Sequence, residues 1–450
     1  MANSNFELPV ASIGALEARE KILSGAFSVA DYAEALLSLA KQFDSGIGAF
    51  AHLEEKIVMA QAHELDDRKS RGETLGPLFG VPVGIKDIID TLDYPTEMGS
   101  PIHRGRATRW DATVVRRLRA AGALIFGKTV TTEFATPIPA KTVNPHNTQH
   151  TPGGSSSGSA AAVAAGMLPV TIGTQTNGSI IRPASFCGVY GFKPSAGLIP
   201  RTGIFEQSPT LDQVGVFGRS ISDIAAICES IIGDDGDDSS CRGTPRRALQ
   251  QIASEAPPFP PTLAYIQTPY WSEVDVESQQ AFTALRDLLS DHCADVDLPE
   301  SVTEVSKLLA LIQESEMANA LRKEYASHRT QLSTPLIEMV ERGRAHQAID
   351  YLNAIDRIET IREGFDEFFE RFDALITPAA LGPAPQGLES TGNPIMATMW
   401  SYCGMPAISL PLLQSSTGMP IGVQLIGAKG DDARLLRTAN WLVNHLENAE

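Results

Sequence analysis

The chain has 450 residues, a formal charge of −18, 43% apolar residues and 20% charged residues. This is a globular composition with enough length for a large core, and the acidic balance excludes the basic footprint used to bind nucleic acid or an anionic membrane surface. The five cysteines (Cys187, Cys228, Cys241, Cys293 and Cys403) are scattered and show no C-x-x-C spacing, which argues against a disulfide framework or a zinc site and fits a reducing cytosol.

The opening "MANSNFELPVASIG" has no basic region followed by an apolar core, so no signal peptide is expected. No apolar run approaches the length of about 18 residues needed to cross a bilayer. Helices are predicted through residues 11–69. "SVADYAEALLSLAKQF" has apolar residues at helical spacing, with Ser28 and Asp31 placed as an N-terminal cap, and "KIVMAQAHELDDRKSRG" is a second amphipathic helix ending near Gly72. "LFGVPVGIKDIID" reads as a buried strand and turn. "DATVVRRLRAAGALIFGKT" reads as helix, turn and strand, and "SAAAVAAGMLPVTIGTQTNGS" as helix, strand and Gly-rich loop, an alternation that indicates an α/β sheet. The acidic stretch "IIGDDGDDSSCRG" lacks the ligand order of a calcium loop and reads as a solvated surface loop. Long helices return over about 300–372, and strands resume at "ALITPAAL", "AISLPLL" and "IGVQLIGA". The helical stretch is therefore an excursion from one continuous α/β core.

"TPGGSSSGSAAAVAAG", Thr151 to Gly166, places serines and glycines before an alanine-rich helix. Residue type alone leaves three readings: a flexible linker, an anion cradle at a helix N-terminus, or a catalytic hydroxyl. Apolar flanks speak against a linker, and neither Gly-rich loop matches a phosphate-loop motif. A catalytic serine needs a base. His146 and His150 lie nearby, yet no G-x-S-x-G elbow marks a His-dependent hydrolase. Lys86 is the alternative, because it ends an apolar run, although a salt bridge with Asp87 or another acid is the simpler account of a lone lysine there. The later loop "GTQTNGSIIRPASFCG" exposes successive backbone N–H groups suited to an oxyanion.

Together, "GVPVGIKD", "NPHNTQHTPGGSSSGSAAAVAAG", "GTQTNGSIIRPASFCGVYGFKPSAG" and "LDQVGVFGRSISD" resemble the amidase signature hydrolases, in order and at suitable spacing. "ATVVRRLRAAGALIFGKTVTTEFA" and "GMPAISLPLL...GMPIGVQLIGAKGDDARLL" extend the resemblance over most of residues 60–440. It implies an α/β fold with a mixed, twisted sheet flanked by helices, here a single large domain over 1–450 with N-terminal helices at 10–70. It also implies a Ser–Ser–Lys triad of nucleophile Ser179, bridging Ser155 (commonly after a cis peptide bond) and base Lys86. The backbone N–H groups of Thr176, Asn177, Gly178 and Ser179 would then form the oxyanion hole. Ser156, Ser157 and Ser159 are read as capping and packing residues, Cys187 and Cys403 as core, and Asp212 as a loop brace.

The chain departs from the common G-T-D-T-G-G-S-I-R pattern. Gln175 stands where Asp is frequent, Asn177 where Gly is frequent, and the arginine falls one place later, at Arg182. The family's Asp–Arg pair is therefore absent, with Gln175 and Ile181 replacing both charges together. Ala135, Thr136, Ile138, Phe205, Met399 and Trp400 are candidate acyl-pocket residues. The expectation is a cytoplasmic hydrolase of amide, ester or carbamate bonds, needing no cofactor or metal and acting as a monomer or homodimer. The alternatives are the A subunit of a tRNA-dependent amidotransferase and a silent binding protein on the same scaffold.

Overall fold

The structure, a computed structural model, describes residues 10–448. Its strands are β1 (Phe50–His52), β2 (Pro82–Lys86), β3 (Leu124–Thr129), β4 (Val170–Gln175), β5 (Tyr190–Lys193), β6 (Gln213–Gly218), β7 (Leu263–Ile266), β8 (Cys293–Val296), β9 (Ala374–Pro378), β10 (Ala407–Gln414) and β11 (Pro420–Ile426). They form one sheet in the order β1-β3-β2-β4-β6-β5-β10-β11-β9-β7-β8. The sheet is mixed: β2 runs parallel to β3 and β4, and β7 parallel to β8 and β9, while β4, β6, β5, β10, β11 and β9 pair antiparallel in turn. This is the α/β architecture that the motif order implies.

Local chemistry explains the elements. Ser28 and Asp31 form a capping box at the helix Val29–Ile47, and Gly48 closes that helix in the left-handed region at φ 68°. The second N-terminal helix runs Glu55–Ser70. β2, β3 and β4 are buried along their whole length, which fits their near-continuous apolar runs. Gly84 sits between them because a Cβ there would lie 2.7 Å from Leu168 Cδ1 and 2.9 Å from Thr171 Cγ2.

The excursion comprises the helices Val305–Ala320, Arg322–His328, Thr334–Ala345 and Ala348–Phe369. They cover a second apolar core that includes Leu309, Ile312, Ile361, Phe365 and Trp400. The acidic stretch is mostly exposed over 234–243, as expected of a surface loop, and two of its carboxylates also make contacts. Asp238 is paired with Arg201 at 3.1 Å, with both side chains under 10% exposed, and Asp235 accepts from Thr113 Oγ1 at 2.7 Å. It is a surface loop tethered at two points.

Candidate active site

The parallel neighbours β2 and β4 end at the same side of the sheet, the place where open α/β sheets commonly bind ligands. Lys86 is the last residue of β2 and is fully buried. Its Nζ donates to Ser155 Oγ at 2.7 Å, to Thr174 Oγ1 at 2.8 Å and to the Thr174 carbonyl at 3.5 Å. Burial pushes its pKa down to about 7, against an opposing pull from the Asp212 charge. The salt bridge expected from its neighbour Asp87 is not formed. Asp87 pairs with buried Lys128 at 3.1 Å. Among the described residues Lys86 is thereby left without a carboxylate in contact.

Ser155 follows a cis peptide bond from Gly154. The helix Ser157–Ala164 begins two residues later, and its approach to the sheet depends on Gly158, where a Cβ would lie 2.2 Å from the Ala49 carbonyl oxygen. The neighbouring serines fasten this segment instead of capping it. Ser156 Oγ bonds the backbone of Thr174 in both directions, Ser159 Oγ meets Thr129 Oγ1 at 2.7 Å, and Ser157 Oγ reaches the Val130 carbonyl at 3.5 Å.

Ser179 lies in the loop between β4 and the helix Ile181–Cys187, and it is half-buried. Gln175 organises that loop. Its Oε1 accepts the N–H of Ile180 at 2.7 Å and of Ile181 at 3.0 Å, and its Nε2 donates to Ser401 Oγ at 2.9 Å. A neutral amide therefore does the accepting that a carboxylate would do at this place, and no counter-charge is needed. The N–H groups of Thr176, Asn177, Gly178 and Ser179 are not engaged by that side chain. Asn177 is turned toward the helix Ile395–Tyr402, with its Oδ1 accepting from Thr398 Oγ1 at 2.7 Å and its carbonyl from Ser401 Oγ. Thr398 and Ser401 are one helical turn apart and share the face toward the loop. Met399 and Trp400, picked from the sequence as pocket residues, point elsewhere: they are 4% and 0% exposed in the second core, and Trp400 packs edge-on against Phe365.

The other pocket candidates come together. Phe205 packs against Phe134 with ring centroids 5.5 Å apart, Gln207 Nε2 donates to the Ala135 carbonyl at 3.3 Å, and Thr136 Oγ1 donates to the Glu133 carbonyl at 2.6 Å. Ile138 is partly buried against the same core. Phe134 and Ala135 hold positive φ angles of 46° and 58°, a conformation that costs about 1 kcal/mol or more per residue and is retained where packing fixes it. Sequence reasoning named Asp212 as a brace and missed the partners around it. Thr176 Oγ1 donates to Asp212 Oδ1 at 2.5 Å, and the Ser208 N–H donates to Asp212 Oδ2 at 2.9 Å. Burial pushes the Asp212 carboxyl up to about 6. Glu316, on the excursion, accepts from Thr210 Oγ1 at 2.5 Å and from Tyr351 Oη at 2.7 Å. A cavity of about 560 Å³ opens beside this contact, bordered by Thr210, Ser315, Asn319 and His346. Asp212 thus braces the loop, as its motif suggests, and the excursion is clamped to that brace.

The histidines near the Ser-rich stretch bond backbone carbonyls: His146 Nε2 meets the Cys187 carbonyl at 2.9 Å, and His150 Nδ1 the Ala384 carbonyl at 2.7 Å. Among the described residues no group of His, Cys, Asp or Glu is placed to hold a metal ion, and no helix is long and apolar enough to cross a membrane.

Comparison with known proteins bears on the family and the fold. The profile of the family described as Amidase matches residues 31–436. The chain is similar to the A subunit of the glutamyl-tRNA(Gln) amidotransferase of Symbiobacterium thermophilum, at 34% identity over 463 residues and 93% of each chain. Among solved structures it resembles that of a vestigial protein complex bearing on the origins of an s-triazine catabolic enzyme, with TM-score 0.90, 28% identity, and 96% of this chain and 98% of the other covered. It also resembles a 6-aminohexanoate cyclic dimer hydrolase solved with its substrate, with TM-score 0.87, 26% identity and 98% of each chain covered. The chain belongs to the amidase family of carbon–nitrogen hydrolases.

Proposed function

We propose that the protein cleaves a carboxamide C–N bond through an acyl-enzyme on Ser179. The observation that carries this reading is the 2.7 Å contact between fully buried Lys86 and Ser155. A neutral lysine amine has two hydrogens and one lone pair. The hydrogens fit Thr174 Oγ1 and the Thr174 carbonyl, which leaves the lone pair for the Ser155 proton. Ser155 in turn accepts the Ser179 proton as Ser179 Oγ attacks the carbonyl carbon. The N–H groups of Thr176, Asn177, Gly178 and Ser179 receive the developing oxyanion, each such donor being worth about 3 kcal/mol of barrier. The proton then returns along the chain to the departing nitrogen as the C–N bond breaks. Water repeats the relay in reverse and releases the acid. Ala135, Thr136, Ile138 and Phe205 border the acyl group.

The length and identity of the match to the amidotransferase chain favour a glutamine-using member over a free-standing amidase. In that setting the chain releases ammonia from glutamine and works with partner subunits. The alternative is a stand-alone amidase, as monomer or homodimer, whose nucleophile would also accept the carbonyl of an ester or a carbamate. Five unpaired thiols suit the cytosol for either.

Product release from glutamine, butyramide, an activated anilide, an ester and a carbamate by the purified chain tests the proposal, together with identification of proteins that co-purify with it. Glutaminase activity far above that on the anilide, with retained partner subunits, supports the amidotransferase setting. The reverse order supports a stand-alone amidase. Full activity after Ser179→Ala would overturn the mechanism for both.

A further inference from the structure

A second cavity, of about 490 Å³, lies outside the segments that carry Lys86, Ser155 and Ser179, and its lining is basic. Arg242, Arg247, Arg362 and Lys429 border it, against one carboxylate, Asp366. The cations come from three places in the chain: the stretch 242–247, the helix Ala348–Phe369, and the turn at 429–430 between β11 and the helix Asp432–Glu447. A chain with a formal charge of −18 has no general attraction for anions, so cations gathered at one place need a local reason.

Hydrogen bonds stitch the walls together. Gly197, at φ 80°, lets the chain pass so close that a Cβ there would lie 2.4 Å from the Ser240 carbonyl oxygen. Thr244 Oγ1 donates to the Gly197 carbonyl at 2.9 Å, the Gly430 N–H donates to Ser195 Oγ at 2.8 Å, and Arg247 Nη1 donates to the Gly430 carbonyl. The buried carboxylate of Asp432, behind Ser195, is occupied by the N–H and hydroxyl of that serine, both at 2.7 Å. Charge compensation within the cavity is incomplete. Arg362 pairs with Glu359, but among the described residues Arg242, Arg247 and Lys429 form no ion pair. Lys429 is open to solvent, yet desolvation by the walls, and after it the Arg362 charge, push its ammonium below the ordinary lysine range. Like charges held this close repel one another, and a polyvalent anion between them relieves that repulsion.

We propose that this cavity binds a small molecule through a diphosphate group. Guanidinium forks take phosphate oxygens in paired hydrogen bonds, and an ammonium adds a point charge. A single carboxylate would leave most of the positive charge unmatched. The volume falls within the roughly 300–1,000 Å³ of small-molecule sites. No aromatic side chain is among the lining residues, so nothing is placed to stack on a nucleobase and recognition rests on the phosphates.

Calorimetric titration of the full-length chain tests this, at about 0.15 M salt so that diffuse surface attraction is screened. Pyrophosphate should bind at least about tenfold more tightly than inorganic phosphate, and than citrate, which carries several charges on carboxylates. The double variant Arg242→Gln with Lys429→Gln, both at exposed positions, should melt like the wild type and bind pyrophosphate about tenfold or more weakly. Lys323→Gln, at an exposed lysine of the helix Arg322–His328, should change that affinity by less than about twofold. Binding of ADP within about threefold of pyrophosphate supports recognition of the diphosphate without its base. No binding of pyrophosphate or ADP at millimolar concentration overturns the proposal, as do equal affinity for citrate and affinity unchanged in the double variant. A single-stranded RNA that binds through Arg242 and Lys429 and is not displaced by pyrophosphate overturns it as well, and assigns the cavity to nucleic acid. No arm depends on turnover, so failure of the acyl-enzyme reading leaves the test intact.

Discussion

Gln175 and Ile180 are joined side chain to backbone: Gln175 Oε1 accepts the Ile180 N–H at 2.7 Å, and the Ile181 N–H at 3.0 Å. Both isoleucines are fully buried, so no water stands ready to replace the amide oxygen. Gln175→Leu should therefore strand two N–H groups and destabilise the protein by about 2–4 kcal/mol, the desolvation cost of unpaired buried donors. Gln175→Glu keeps an acceptor and should lose less. Urea unfolding of the three proteins checks the order, and a Leu variant as stable as the wild type would refute it.

The protonation of Lys86 sets the pH dependence. Its pKa is held near 7 by burial, and the relay needs the neutral amine. The value of kcat/KM for a carboxamide should accordingly rise with pH along an acid limb centred near 7. Lys86→Ala should lose most activity at neutral pH. Ser179→Ala should lose roughly a thousandfold or more while melting like the wild type. A profile flat from pH 5 to 9 would assign the base elsewhere.

Asp87 matters for stability more than for chemistry. It holds the buried cation of Lys128 at 3.1 Å. Asp87→Ala leaves that charge uncompensated and should destabilise the chain by about 3–5 kcal/mol. Denaturant midpoints report the loss, and a change below about 1 kcal/mol would mean that Lys128 is buried neutral.

At Gly158 two effects oppose each other. Within a helix, alanine is favoured over glycine by about 1 kcal/mol. Here a Cβ would lie 2.2 Å from the Ala49 carbonyl oxygen and 2.4 Å from the Val130 nitrogen, both of them backbone atoms that have no rotamer to give. The clash wins, so Gly158→Ala should lower the melting temperature. A raised melting temperature would show that the helix Ser157–Ala164 can shift.

Much of this was legible in the sequence where chemistry is written locally. The capping box at Ser28 needs only four residues, and β2, β3 and β4 are mostly apolar runs that read as buried strands. The motifs singled out Lys86, Ser155 and Ser179; Lys86 ends β2, Ser155 precedes the helix Ser157–Ala164, and Ser179 lies in the loop after β4. What escaped was set by partners distant in the chain. The short strands β7 and β8 hold only four residues each and take their place from pairing with each other and with β9. Asp87 found Lys128 instead of Lys86 because β3 lies beside β2. Met399 and Trp400 read as pocket residues because bulk alone does not say which way a helix faces. Thr398 and Ser401, spaced one turn apart and bonded to Asn177, show the face that meets the Ser179 loop.

All five cysteines are buried, Cys293 being the most accessible at 8%. Burial raises every one of these thiols, Cys241 to about 11 and Cys293 and Cys403 to about 12. A hidden, protonated thiol reacts slowly with an alkylating reagent for two reasons at once. The folded chain therefore carries five built-in clocks, each started only when its own neighbourhood opens. Cys187 times the helix after Ser179, Cys228 the helix Ile221–Ile231, and Cys293 the edge of the sheet at β8. Mass spectrometry of alkylated peptides would turn them into a map of where this enzyme breathes, with the β8 edge ticking first.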